Sequence, residues 1–158
     1  MKAATVKQIK DELTASSPAK LIELCLHLSK FKKENKELLT YLLFEANDEA
    51  GYINEIKNEI DEQFELINYR NYYFIKKSVR KVLRNTKKYI RYSKKKETEV
   101  ELLIYFCSKL KVMEPTYTRN VMLTNLYNRT IESIKKKLNT LHEDLQFDFQ
   151  EELNELIS

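Results

Sequence analysis

The chain has 158 residues, of which 42% are hydrophobic, and its 28 Lys and Arg residues against 24 Asp and Glu residues give a net charge of +4. This composition is typical of a packed globular protein and excludes a largely disordered chain. A single Gly and two Pro exclude a sheet with many tight hairpins, because such turns need Gly at positive φ.

Apolar residues that recur every three to four positions divide the chain into eight predicted helices. Ser17 and Pro18 form a clear helix start, because Ser caps free N–H groups and Pro suits the first helical position. In chain order the predicted helices cover about 5–13, 18–31, 36–46, 48–67, 72–93, 97–110, 118–141 and 143–157. We therefore predict an all-α fold, in which antiparallel helical hairpins form an α-α superhelix or an irregular helical bundle within a single domain, 1–158.

The second predicted helix carries an apolar face that we expect to lie in the core. This face consists of Leu21, Leu24, Leu28 and Phe31. The two cysteines, Cys25 and Cys107, both sit in apolar stretches. We expect them to be buried free thiols that act as small hydrophobes, because a catalytic thiol needs a polar setting and a His partner.

An internal repeat is indicated by two similar segments. Residues 37–41 (Glu-Leu-Leu-Thr-Tyr) resemble 101–105 (Glu-Leu-Leu-Ile-Tyr), and each lies within a helix pair followed by one more amphipathic helix. The predicted repeats cover about 18–68 and 72–142, and stacked units of this kind bury a continuous core. The alternative is a chance likeness between two amphipathic helix pairs.

The segment 18–110, above all 33–39 (Lys-Glu-Asn-Lys-Glu-Leu-Leu) and 99–103 (Glu-Val-Glu-Leu-Leu), resembles a family of uncharacterised bacterial all-helical proteins. The resemblance implies a helical-repeat fold of the HEAT and armadillo class. It implies no known activity, and it carries no functional residue to this chain, since fold does not settle function.

Charge is strongly segregated along the chain. Between Leu66 and Lys96 there is no acidic residue and there are twelve basic ones. On a helical wheel of about 100° per residue, six of them form one narrow row opposite the apolar face, and we name this row the basic stripe. Its residues, the candidate site for an anionic partner, are Lys76, Arg80, Arg84, Lys87, Arg91 and Lys94.

The basic stripe has three alternative interpretations: a structural role, a site for an anionic or acidic-protein partner, and a nucleic-acid surface. The preceding helix carries eight carboxylates between 45 and 65, so it could face the stripe across an antiparallel pair and give it a purely structural role. Otherwise the basic helix, 72–96, could track the phosphates of a nucleic acid, and a stripe left uncovered by the acidic helix would favour that interpretation. The nearby tyrosines that could stack on unpaired bases are Tyr69, Tyr72, Tyr73, Tyr89 and Tyr92.

The chain shows no zinc-spaced cysteine pair and no phosphate-binding glycine loop, and its two histidines, His27 and His142, lack partners at ligand spacing. We therefore predict no catalytic residue, no metal, no cofactor and no enzymatic activity. We expect a cytoplasmic protein that does not act at a membrane, because the sequence shows neither a signal peptide nor a run of about 18 apolar residues.

The leading functional prediction is a non-catalytic helical module that interacts with another protein. The alternative is a nucleic-acid-binding protein that uses the basic helix, 72–96. A third hypothesis, an enzyme with a site built from scattered carboxylates and tyrosines, would require a deep polar pocket that holds several ionisable groups.

Overall fold

The computed structural model describes all residues from Met1 to Ser158 and contains eight α-helices and no β-strand, so the predicted all-α fold is confirmed. The helices are α1 (Val6–Ala15), α2 (Pro18–Phe31), α3 (Lys33–Thr40), α4 (Glu49–Glu65), α5 (Tyr72–Ser93), α6 (Lys96–Lys111), α7 (Val121–Leu138) and α8 (Glu143–Ile157). A π-helical segment, Tyr41–Glu45, follows α3, and a 3₁₀ turn, Tyr117–Arg119, precedes α7. None of the helices combines the length and the apolar character needed to cross a bilayer.

Side-chain caps fix where several helices begin. The side chain of Ser17 accepts a hydrogen bond from the N–H of Lys20, with Pro18 in the first turn. Asn71 accepts from two N–H groups at the start of α5, which begins at the predicted residue. The predicted helix 118–141 was wrong at both ends, because Asn120 caps α7 and the chain turns after Leu138.

Contacts along the chain group it into two compact units, Met1–Phe44 and Glu45–Ser158. We call them the N-terminal unit and the C-terminal unit. The boundary falls inside the first predicted repeat, since α4 packs against α5 and α6. The predicted single domain, 1–158, and the predicted repeats stay predictions.

In the N-terminal unit, α2 packs against α3, and the Asn35 amide donates a hydrogen bond to the carbonyl oxygen of Leu28 at 2.9 Å. No residue of α1, α2 or α3 is buried. The expectation that the apolar face of α2 lies in a core was therefore wrong: Leu28 is 57% exposed and Phe31 is 72% exposed. Cys25 is also exposed, contrary to expectation. Within this unit no further layer covers the α2–α3 pair, and one layer cannot enclose a core.

The C-terminal unit is built around α6, which packs against α4, α5, α7 and α8. This helix has apolar side chains on several faces, and such a helix is stable when neighbours cover it on several sides. Its fully buried residues include Val100, Leu102, Phe106, Cys107 and Leu110. Burial of Cys107, as predicted, raises the pKa of its thiol to about 12. Because α5 and α7 both pack on α6, they form the two walls of a groove.

Candidate functional site

The basic stripe lies on the surface of α5. Lys76 is half-buried and the other five residues are exposed. None of the six has a carboxylate oxygen within 4.0 Å. The nearest polar contact of the Lys76 ammonium is the sulfur of Met122, at 3.8 Å. The stripe is therefore a row of cations without carboxylate partners.

Two carboxylates of α4, Asp61 and Glu49, have partners away from the basic stripe. Asp61 accepts hydrogen bonds from the Tyr105 hydroxyl at 2.7 and 2.8 Å and lies 2.8 Å from Nζ of Lys109, so both partners are on α6. Glu49 accepts from the hydroxyls of Ser93 and Thr98 and lies 3.1 Å from Nζ of Lys95. These contacts place acidic charge of α4 at the ends and on the α6 side of the helix pair.

The contact between α4 and α5 lies on the flank of α5 away from the stripe. There the Tyr52 hydroxyl donates to the carbonyl oxygen of Tyr89 at 3.0 Å, and the Asn85 amide donates to the side chain of Gln63 at 3.1 Å. On the helical wheel Asn85 lies about 180° and Tyr89 about 140° from Lys76. The predicted alternative, in which the acidic helix faces the basic stripe, does not occur for any of the six residues.

The stripe forms one wall of a groove between α5 and α7, which we call the cationic groove. Its two parts have volumes of about 370 and 630 Å³ and meet at Lys87. Leu83 and Leu126 line the first part, and Ile90 and Leu103 line the second, so the bottom of the groove is apolar. The cations around it are Lys76, Arg80, Lys87, Arg91, Lys94, Lys96, Arg129 and Lys137.

Five of the six predicted residues line the cationic groove, and Arg84 does not. Arg84 lies further round α5, with the exposed Lys77 and Lys81, on the side away from α7. We call these three residues the outer row.

Sequence reasoning missed the contribution of α7 to the groove. Arg129 is exposed and has no ion pair, and it lies about 40 positions from the middle of the stripe. No local pattern singles it out, since only the packing of both helices on α6 brings it opposite α5. Lys137 was missed as well, but it is paired with Glu99 at 2.8 Å. Glu99 is the one carboxylate among the residues that line the groove.

Most of the tyrosines predicted to be available for base stacking are engaged in the fold. The hydroxyls of Tyr69, Tyr72 and Tyr89 donate to Phe64 O, Thr116 O and Glu59 Oε1 at 2.9, 2.8 and 3.0 Å. Tyr92 is buried, at 9% exposure. Tyr73 alone is largely free, at 66% exposure, and it lies at the first turn of α5.

Outside the cationic groove, the densest group of ionisable side chains is Asp61, Tyr105 and Lys109, beside a surface groove of about 390 Å³. Burial acts to raise the pKa of Asp61, but hydrogen bonds from Lys109 and Tyr105 outweigh it and hold the pKa below its ordinary value. Burial and the neighbouring Asp61 raise the pKa of Tyr105. Both pKa shifts favour the forms present at neutral pH, which are the ionised carboxylate of Asp61 and the neutral hydroxyl of Tyr105. This arrangement therefore stabilises an ion pair and does not generate a base. No group of three or more His, Cys, Asp or Glu residues is placed to hold a metal ion.

The fold and the groove define a class of molecule: an all-α protein with an uncovered cationic groove over an apolar bottom. Comparison with protein-family models, curated proteins and solved structures found no match. The resemblance to the bacterial helical-repeat family implies an all-helical architecture, and the structure shows that architecture.

Proposed function

We propose that this chain is a non-catalytic interaction module whose C-terminal unit binds an acidic helical segment of another protein in the cationic groove. The observation that carries the proposal is the stripe itself, because five cations without carboxylate partners lie along one wall of the groove. Unpaired charges of one sign along a concave surface attract a segment of opposite charge and accelerate its association.

The apolar bottom of the groove favours a partner that has both apolar and acidic side chains, such as an amphipathic helix. An amphipathic helix can place its apolar side chains on Leu83 and Leu126 while its carboxylates meet the cations of both walls. From Lys76 to Lys94 the wall extends about 27 Å at 1.5 Å per residue. A partner helix of about five turns would fill that length.

A second candidate function, nucleic-acid binding, is favoured by the outer row. Lys77, Lys81 and Arg84 extend the cationic surface beyond the groove, and α4 does not cover them. About six phosphate contacts would give a log–log salt slope of roughly −5 on duplex DNA. Two observations count against nucleic-acid binding. The hydroxyls of Tyr69, Tyr72 and Tyr89 are hydrogen-bonded within the fold, and a phosphate backbone does not require the apolar bottom of the groove.

The proposal also includes a cellular location and a protein family. We place the module in the cytoplasm, as a member of the bacterial helical-repeat family that its sequence resembles. The proposal assigns no catalytic residue.

The test uses two matched sets of charge reversals on α5. The groove variant carries Arg80→Glu, Lys87→Glu and Arg91→Glu, and the outer variant carries Lys77→Glu, Lys81→Glu and Arg84→Glu. Each changes the net charge by the same amount on exposed positions of one helix.

Fluorescence anisotropy with two kinds of probe separates the candidates. One is a designed amphipathic peptide of about 18 residues, with Glu on one face and Leu on the other. The other is an oligonucleotide, used in single-stranded and in duplex form. We expect the groove variant to lose peptide binding and the outer variant to keep it. A peptide with the same composition in scrambled order should bind weakly. Equal losses in both variants, or oligonucleotide binding that only the outer variant loses, would reject the acidic-helix proposal.

A further inference from the structure

The second helix of the N-terminal unit, α2, is apolar over more than half of its circumference, and its polar side carries Lys20, Glu23, His27 and Lys30. On the helical wheel Ile22 and Leu26 lie on one side of α2, and Leu24 and Phe31 lie on another. A helix with this pattern is normally enclosed by neighbours. Here no residue of α2 is buried, so the helix lacks the neighbours that its sequence requires.

The exposed apolar surface continues onto α3 and the π-helical segment. Between α2 and α3 lies a groove of about 210 Å³ with apolar walls that include Cys25, Leu38 and Leu39. Seven large apolar side chains on these elements are at least half exposed, and we call them the hairpin patch. They are Ile22 (61%), Leu26 (50%), Leu28 (57%), Phe31 (72%), Leu42 (57%), Leu43 (59%) and Phe44 (72%).

The hairpin patch is large enough for a stable interface. Ile22 and Leu26 lie on the far side of α2 from Phe31. At roughly 200 Å² for a large apolar residue, the exposed fractions of the other five side chains amount to about 630 Å². A standard protein–protein interface buries about 600–1,000 Å² on each partner. Soluble monomers rarely expose contiguous apolar patches of more than a few hundred Å².

The charges around the hairpin patch indicate what covers it. Positive and negative side chains alternate on α2 and α3, and they pair within each helix, Lys20 with Glu23 at 3.1 Å and Lys33 with Glu37 at 3.5 Å. This surface therefore has no field of one sign that would select an oppositely charged partner, in contrast to the cationic groove. A two-fold interface between identical chains brings a patch against its own copy, and a surface of balanced charge does not repel that copy.

We propose that the N-terminal unit is a self-association element, in which the α2–α3 hairpin packs on the same hairpin of a second copy and forms a four-helix arrangement. In such an arrangement each helix has two neighbours, which is what a helix that is apolar over more than half of its circumference needs. Leu28, Phe31 and Leu42 lie at the contact. This inference is independent of the function proposed for the cationic groove, because it concerns the other unit.

The test measures the oligomeric state of the full chain by sedimentation equilibrium across a dilution series. The disrupting variant carries Leu28→Glu and Phe31→Glu, both at exposed positions where folding does not depend on the side chain. The matched control is His27→Glu, which adds an acid to an exposed polar position of the same helix. We expect a dimer for the parent chain and the control, and a monomer with unchanged helical circular dichroism for the disrupting variant.

Cys25 supplies a second readout from within the groove between α2 and α3. Cys107 is fully buried with a raised pKa, so a thiol reagent reports on Cys25 alone in the folded protein. We expect Cys25 to react about tenfold more slowly in the dimer than in the disrupting variant, because labelling requires dissociation.

Three results would overturn the proposal. One is a parent chain that stays monomeric at all concentrations, whether or not Cys25 reacts. Another is a dimer that survives Leu28→Glu with Phe31→Glu, since the contact would then lie elsewhere. The third is a dimer that dissociates on adding salt, because an apolar contact is not screened.

Discussion

Asp61 on α4 and Lys109 on α6 form an ion pair of 2.8 Å, and this contact directs the Asp61 carboxylate toward α6 and not toward the basic stripe. Acidic and basic helices that follow each other in a chain could neutralise each other across their shared face. In this fold α4 instead uses Asp61 to hold α6, and it meets α5 on the flank that carries Asn85 and Tyr89. The acidic helix thus stabilises the unit while the cations of α5 remain available.

Replacing Asp61 with Asn should lower the free energy of unfolding by up to about 1 kcal/mol at neutral pH, because about a third of each side chain is exposed and solvent screens the pair. Hydrogen bonds from Lys109 and Tyr105 keep the pKa of Asp61 below its ordinary value of 3.8. The contribution of a carboxylate with a lowered pKa is fully present above its unfolded pKa and is lost as pH falls through the folded pKa.

Urea unfolding at a series of pH values measures this difference between the parent chain and Asp61→Asn. The gap should be constant above about pH 5 and should shrink below about pH 4. The control is Asp148→Asn, at an exposed position of α8 with no ion pair. A gap that is unchanged at low pH would contradict the role given to the ion pair.

Asn71 should be the main local determinant of where α5 begins. Its side chain accepts hydrogen bonds from the N–H groups of Tyr73 at 3.0 Å and Phe74 at 3.2 Å. Asn71→Ala leaves both donors without this partner and should cost about 1 kcal/mol of stability in thermal or urea unfolding. Asn71→Ser, which keeps a capping oxygen, should recover most of the loss. Equal stabilities for the Ala and Ser variants would show that the cap is not needed.

A Phe→Ala substitution should lower stability strongly in the C-terminal unit and hardly at all in the N-terminal unit. Phe106 is fully buried on α6, so Phe106→Ala should destabilise the C-terminal unit by about 3–5 kcal/mol through lost burial and a cavity. Phe31 is 72% exposed, so Phe31→Ala should leave the unfolding midpoint of a dilute sample nearly unchanged. Calorimetry on both variants at low protein concentration makes the comparison. A large loss for Phe31→Ala under those conditions would mean that its side chain is packed within the single chain.

Local features of the fold could be predicted from the sequence because their causes are local. The bounds of α5 follow from the Asn71 cap and from apolar residues at helical spacing, and both are visible in the chain. The basic stripe belongs to one helix, so the wheel was sufficient to place its side chains on one face. That is why five of the six predicted residues line the cationic groove.

Features that depend on the packing of several helices could not be predicted in this way. The spacing of Leu28 and Phe31 correctly predicted a helix, but spacing does not determine whether another surface covers the apolar face. Arg129 joins the groove because α7 and α5 both pack on α6. The flank of α5 that α4 contacts depends on the partners that α6 supplies for residues of α4, namely Lys109 for Asp61 at 2.8 Å and Glu101 for Lys57 at 2.6 Å.

Glu99 should limit the affinity of the cationic groove for acidic partners. It is the one carboxylate among the residues that line the groove, and it is paired with Lys137 at 2.8 Å. Glu99→Gln removes a negative charge and releases Lys137 to the ligand. We expect the designed acidic peptide to bind about two- to fivefold more tightly at low salt, since a partly exposed pair is worth up to about 1 kcal/mol. The gain should fade as added salt shortens the screening length.

The matched control is Glu132→Gln, which makes the same charge change on α7 and releases Lys135 from a pair of 2.8 Å. Glu132 and Lys135 are not among the residues that line the groove, so this variant measures the effect of net charge alone. Anisotropy titrations with both variants, at the same two salt concentrations, separate a local effect from a global one. An equal gain for both variants would attribute peptide binding to net charge, whereas a gain confined to Glu99→Gln would locate the acidic ligand between α5 and α7.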